Sequence, residues 1–219
     1  MTKEPDYIVA NRRAYDLLAP EYQQRAKADR IKDKTIIAPL ADYLREQFGA
    51  GARILDIGPG NGVNLAMLHD LGFRMAGVDI SPQMLELAKR FCPTADLRLG
   101  DFLTSAYSPS SFEGVFSKAS IHLFPKEAAL RVIRKVHTLL VPGGMFYVTT
   151  TASSDTGEGY SEKSDYPNHA VRYRKLWTAT ELLEAVTRSG FTVWKSSHNI
   201  ETDWNKHWFN AWAIKQRTG

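Results

Sequence analysis

The chain has 219 residues, 43% of them hydrophobic and 24% charged, with a formal net charge of +4. This is an ordinary globular composition, long enough for one sizeable core, and it excludes a low-complexity or repeat protein. No apolar run approaches the ~20 residues that cross a bilayer, and Met1-Thr2-Lys3-Glu4 does not begin a signal peptide. Cys92 is the one cysteine. It rules out an internal disulfide, fits a cytoplasmic location and is expected as a packed thiol at a helix end. The basic residues are scattered. The densest stretch, Arg25 to Lys34, also holds Asp29 and Asp33, so it reads as a solvated helix face rather than a nucleic-acid track.

In chain order, residues 1–10 are expected to fray. Asn11 to Leu18 reads as a helix, and Pro20-Glu21-Tyr22 opens another turn. Ile36, Leu40, Leu44 and Phe48 recur every fourth residue as a buried helical stripe before Gly49 and Gly51. Residues 1–50 thus form an N-terminal helical cap segment. Ile54 to Ile57 then reads as a short buried strand, followed by Gly58-Pro59-Gly60-Asn61-Gly62 and a helix with Val63, Leu65, Leu68 and Leu71 on one face. Such a strand, turn and helix N-terminus converge backbone N–H groups on the polar end of a ligand. Glycines 58, 60 and 62 allow positive φ and close approach. A dinucleotide fingerprint would place its third glycine where Val63 stands.

A second strand, Phe73 to Asp79, ends in an acid placed to accept from ribose hydroxyls. Ser81-Pro82 opens the next helix as N-cap and first turn, with Met84, Leu87, Ala88 and Phe91 on one side. The third strand, Ala95 to Leu99, ends in Gly100-Asp101-Phe102, a second acid suited to the exocyclic amine of an adenine. After the loop Ser105 to Ser111, strand four spans Gly114 to Ser117. A helix carries Ala129, Ile133, Val136 and Leu140, and strand five runs from Met145 to Thr150. Thr151 to Lys175 is polar and aperiodic, and reads as a lid loop over an acceptor site. Thr178-Ala179-Thr180-Glu181 is a capping box. Phe191 to Ser197 and His207 to Lys215 are strands six and seven.

These residues resemble the class I S-adenosylmethionine-dependent methyltransferases. The resemblance is carried by Asp56 to Gly62, Val78-Asp79-Ile80-Ser81, Gly100-Asp101-Phe102, Phe112 to Lys118 and Leu140-Val141-Pro142-Gly143-Gly144. It implies an α/β, Rossmann-like fold over 1–219 as one domain. The seven-stranded, mostly parallel sheet would run in the order 3-2-1-4-5-7-6, with strand seven antiparallel and helices on both faces. The implied cofactor is S-adenosyl-L-methionine, held by Tyr22, Asp56, Gly58, Gly60, Asp79, Ile80, Met84, Gly100, Asp101, Phe102 and Lys118. Met84 is either an adenine contact or core filler, and Tyr22 either a cover for the methionine end or a packing aromatic.

Ligands in open α/β sheets sit beyond the strand ends where strand order reverses, so Ser120 and His122 are expected at the reacting centre. His122 is the general-base candidate, since an imidazole titrates near neutral pH; the alternative is local hydrogen bonding. Tyr15, Ser120, His122, Tyr173 and Arg174 are the acceptor-side candidates, with Arg25, Tyr160, His169 and His207 as lesser ones. No metal is implied. The expected partner is a small molecule with an oxygen or nitrogen acceptor; the alternatives are an RNA- or protein-modifying methyltransferase and a different α/β protein.

Overall fold

A computed structural model describes residues 4–163, 169–201 and 206–217, with the side chains of 27–32 excepted. The expected lid and the loop before strand seven therefore lie partly outside the described residues, at 164–168 and 202–205. The core begins with β1 (Arg53–Ile57), α3 (Val63–Asp70), β2 (Arg74–Asp79), α4 (Pro82–Phe91), β3 (Asp96–Leu99) and β4 (Phe112–Lys118). It continues through α5 (Lys126–Leu139), β5 (Leu140–Thr151), α6 (Ala179–Arg188), β8 (Phe191–Glu201) and β9 (Lys206–Lys215). Two helices, α1 (Asp6–Lys32) and α2 (Lys34–Phe48), precede it, and the hairpin β6 (Gly157–Glu162) and β7 (Val171–Leu176) interrupts it.

The sheet runs β3-β2-β1-β4-β5-β9-β8. Neighbours from β3 to β5 are parallel, and β9 is antiparallel to both β5 and β8. With the hairpin's two strands set aside, this is the expected order. The period-two alternation of β1 shows how both faces are covered. Ile54 packs with Leu40, Leu44 and Leu68 on one side. Leu55 and Ile57 pack with Val132, Val136 and Val186 on the other.

Several expectations are corrected. Residues 6–32 form one helix that runs through Pro20, not a frayed end and two pieces. Leu71 and Phe91, read on the apolar faces of their helices, are 42% and 41% exposed, and Leu99 is 61% exposed. Leu71 lies past the last turn of α3, Phe91 closes α4, and Leu99 stands on an edge strand covered from one side only. Gly143 and Gly144 fall inside β5. The polar stretch after Thr151 contains a regular antiparallel hairpin. It packs on α1, where Tyr173 N–H donates to Asn11 Oδ1 at 2.8 Å.

The hairpin is fastened to α6 by a buried ion pair. Lys175, 2% exposed, has its Nζ 2.8 Å from Glu181 Oε2 and over the Trp177 ring. Thr178 caps α6 by accepting from Glu181 N–H at 3.1 Å. The Glu181 carboxylate serves Lys175, Lys126 and Thr156. Removing one partner of a buried pair strands the other charge, at a cost of about 3–5 kcal/mol. Glu181 keeps partial solvent access, so Glu181→Ala is expected at the low end, about 3 kcal/mol, read by urea unfolding.

Candidate active site

The glycine turn follows from backbone geometry. Gly58, Gly60 and Gly62 have φ of 72°, 55° and 80°, values a side chain resists. Their surroundings then separate their roles. A Cβ on Gly60 would meet open space at the cavity wall, and one on Gly58 would meet Ser120 Cβ at 3.0 Å. A Cβ on Gly62 would lie 2.4 Å from Ala88 Cα, so Gly62 brings α3 against α4 rather than facing a ligand. At the end of β4, Ala119 takes φ 56°, which turns the chain so that Ser120 lies against Gly58.

Beyond these strand ends lies a cavity of ≈ 1060 Å³ including its open mouth. Asp56, Gly58, Gly60, Asp79, Ile80, Gly100, Asp101, Phe102, Lys118 and Ser120 line it, together with Tyr15 and Tyr22 from α1. α1 is the roof, held by polar side chains at separate points. Asn61 Nδ2 donates to the Tyr22 carbonyl at 2.8 Å. Ser81 Oγ donates to Asp16 at 2.6 Å, and Asn11 Nδ2 to the Leu123 carbonyl at 2.9 Å.

Three buried or half-buried acids set the electrostatics. Asp79 accepts from Gly60 N–H at 3.2 Å and from Ser81 N–H at 2.9 Å. Burial nevertheless raises its carboxyl to about 6, against the pull of those backbone donors. Asp56 is pushed well above the usual carboxylate range by burial and then by Asp79, with Lys118 opposing. Burial also raises Asp101, whose Oδ1 accepts from Leu103 N–H at 3.0 Å. Lys118 is ion-paired with Asp33, the residue just before α2.

Four expected residues lie off this cavity. Met84 is buried against Ala19, Leu87 and the tyrosines of α1. His122 is 2% exposed, with Nδ1 3.2 Å from Thr150 Oγ1. Burial, then Arg172 and Arg174, lowers its pKa well below an ordinary imidazole's. Tyr173 stacks at an angle between Tyr7 and Tyr160, and Arg174 bonds Thr151. Of the lesser candidates, Tyr160, His169 and His207 are exposed, and Arg25 does not line the cavity.

Sequence reasoning missed Tyr7, Asn11, Asp33, Asn64 and Phe124, all of which line the cavity. Asn64 stood two residues beyond the glycine turn and could have been found there; its Oδ1 is buried and has no hydrogen-bond partner among the described residues. Asp33 gave no local signal, because its partner Lys118 is far away in the chain.

Residues 54–144 match the family described as "Methyltransferase domain". This segment is a methyltransferase domain. The domain carries the glycine turn and three of the cavity's acids, Asp56, Asp79 and Asp101; Asp33 lies before it. The chain is 29% identical over 158 residues to the "Biotin biosynthesis bifunctional protein BioHC" of Cellvibrio japonicus, covering 72% of this chain and 31% of that protein. It is 28% identical over 106 residues to a "Ubiquinone biosynthesis O-methyltransferase" of Xanthomonas euvesicatoria, covering 46% and 44%. The chain thus spans less than half the length of these curated relatives. Among solved structures it resembles the Burkholderia thailandensis 1,6-didemethyltoxoflavin-N1-methyltransferase, with a TM-score of 0.70 at 23% identity over 99% of this chain and 92% of that one. The fold around the domain is that of the class I S-adenosylmethionine-dependent methyltransferases.

Proposed function

We propose that this protein is an S-adenosylmethionine-dependent methyltransferase that transfers the methyl group to an oxygen or nitrogen of a small molecule. The observation that carries this reading is the joining of the Gly58–Gly60 backbone, Asp79 and Asp101 in one roofed cavity at the strand ends. The residues fit the cofactor. Asp79 keeps acceptor capacity beyond its backbone bonds for ribose hydroxyls. Asp101 would take the adenine amine, Phe102 and Ile80 its ring, and Asp56 and Asn64 the ammonium of the amino-acid end. The small-molecule acceptor is supported by the relatives' names, an O-methyltransferase and an N1-methyltransferase.

The cofactor supplies a methyl group already activated by its sulfonium. The protein's task is to align the nucleophile with it and to exclude water, a contribution worth about 7–11 kcal/mol. The α1 roof excludes water, and the glycine turn and acids fix the ligand's position. His122 has no contact with the cavity, so its part is to hold the strand-four turn against Thr150. His122→Ala is expected to cost about 1–3 kcal/mol of stability. It should leave the turnover profile between pH 6 and 8 unchanged in shape; an ionisation that disappears with the histidine would make it the base.

The reading is tested with methyl-labelled S-adenosylmethionine and a panel of phenols, amides, amines and N-heteroaromatic metabolites. Label should pass to one of these classes. Label recovered only in added RNA or protein would overturn the small-molecule assignment.

A further inference from the structure

A second cavity, ≈ 910 Å³ including its open mouth, adjoins the first and shares Asp33 and Lys118 with it. The ion pair between these two side chains therefore borders both cavities. The second cavity lies on the same rim. Lys118 ends β4, Thr149 stands near the end of β5, Trp208 and Asn210 open β9, and Asn199 and Glu201 end β8. That is the edge of an open α/β sheet where ligands bind.

The chemistry of its floor is unusual for this sheet face. Met145 and Trp212, lower on the same face, are buried apolar residues of the core. Tyr147, Thr149 and Asn210 are no more than 1% exposed, yet carry polar groups where an aliphatic side chain would serve a core. Thr149 Oγ1 donates to the Phe209 carbonyl at 2.8 Å, while Tyr147 and Asn210 are joined into a chain. Tyr147 Oη donates to Asn210 Oδ1 at 2.8 Å, and Asn210 Nδ2 donates to Asn199 Oδ1 at 2.6 Å. The chain runs from the buried floor to exposed Asn199 at the cavity edge. Burial holds the Tyr147 phenol well above its ordinary pKa, so it stays protonated.

The walls add flat apolar surface and few positive charges. Ile36 and Trp208 line it, and the Trp208 indole N–H donates to Glu201 Oε2 at 3.1 Å. Lys118 is the basic residue among the described lining residues, and Asp33 neutralises it. A carboxylate entering here would meet Glu201 and a neutralised Asp33–Lys118 pair, with no uncommitted lysine or arginine among those residues to receive it.

We propose that this second cavity is the acceptor subsite, and that it takes an uncharged planar ring bearing an amide, lactam or phenol group. The proposal rests on the first cavity holding the nucleoside. The Asp33–Lys118 pair then borders the opening where acceptor and cofactor meet, and the Tyr147–Asn210–Asn199 chain orients the ring's polar edge.

The test uses ¹⁵N-labelled protein saturated with S-adenosylhomocysteine, with the Trp208 indole resonance assigned through Trp208→Phe. Benzamide is the uncharged planar probe and benzoate its anionic counterpart. Benzamide should move the Trp208 resonance and benzoate should not. Asn199→Leu, on an exposed position, and Asn210→Leu should each abolish the benzamide response while S-adenosylhomocysteine affinity stays within about twofold. A benzoate shift as large as benzamide's would overturn the ligand class. No response to either probe, with S-adenosylhomocysteine bound normally, would overturn the subsite and leave the cofactor reading intact. Failure of S-adenosylhomocysteine to bind would overturn both.

Discussion

Asp79→Ala is expected to weaken S-adenosylhomocysteine binding by about 10²- to 10³-fold. Hydrogen bonds to a charged group contribute about 1.5–3 kcal/mol each. Two ribose hydroxyls on one carboxylate therefore amount to about 3–4 kcal/mol after desolvation, which is that range of affinity. The substitution also leaves Gly60 N–H without its acceptor, loosening the turn that the ligand's amino-acid end needs. The pH dependence has a definite sign. Ligand hydroxyls favour the ionised carboxylate, whose pKa is about 6 in the free protein. Affinity should thus fall as pH drops through about 6, and Asp79→Asn should remove that dependence.

The same shift has an opposite consequence for the ligand-free fold. The folded pKa of Asp79 lies above the ordinary carboxylate value of 3.8, because burial penalises the charged form. The folded state then binds more protons than the unfolded state between those values, and stability falls as pH rises from about 4 to about 6. By linkage the loss is on the order of 3 kcal/mol. Asp79→Asn should accordingly flatten the pH profile of thermal unfolding while weakening, not abolishing, ligand binding. A variant with unchanged pH dependence would place the titration elsewhere.

Gly62→Ala should destabilise the protein by about 2–5 kcal/mol. The new methyl would sit 2.4 Å from Ala88 Cα and 2.8 Å from Ala88 Cβ, on a helix backbone that has no flexible end to move aside. Overpacking of this kind costs about 1–3 kcal/mol, and a left-handed φ adds about 1–2. Gly60→Ala shares the strain but not the clash, since nothing lies within 4 Å of its Cβ position. Denaturant melts should therefore rank Gly62→Ala well below Gly60→Ala. Equal stabilities would mean that α3 and α4 are not in this contact.

The parallel strands and the glycine turn were legible because they rest on local patterns: short apolar runs, glycines with positive φ and the Ser81-Pro82 helix start. Their order came through the resemblance. The residues that escaped depend on distant partners. Asp33 meets Lys118 only because α2 lies across the end of β4. Pro20 read as a break, yet α1 continues through it, fixed on both sides by Asp16 to Ser81 and Tyr22 to Asn61. The hairpin was hidden because its strand β6, Gly157 to Glu162, is mostly exposed and carries no apolar alternation. His122 read as a base from its position after β4; one 3₁₀ turn, Ile121–Leu123, takes it into the core instead.

Calorimetric titration with S-adenosylhomocysteine at pH 7.5 and pH 5.5, with NAD as the control, tests the central claim most directly. One site per chain, tighter at the higher pH and silent to NAD, is the result the cavity's acids and glycine turn require. No heat from S-adenosylhomocysteine, or tighter binding of NAD, would contradict it.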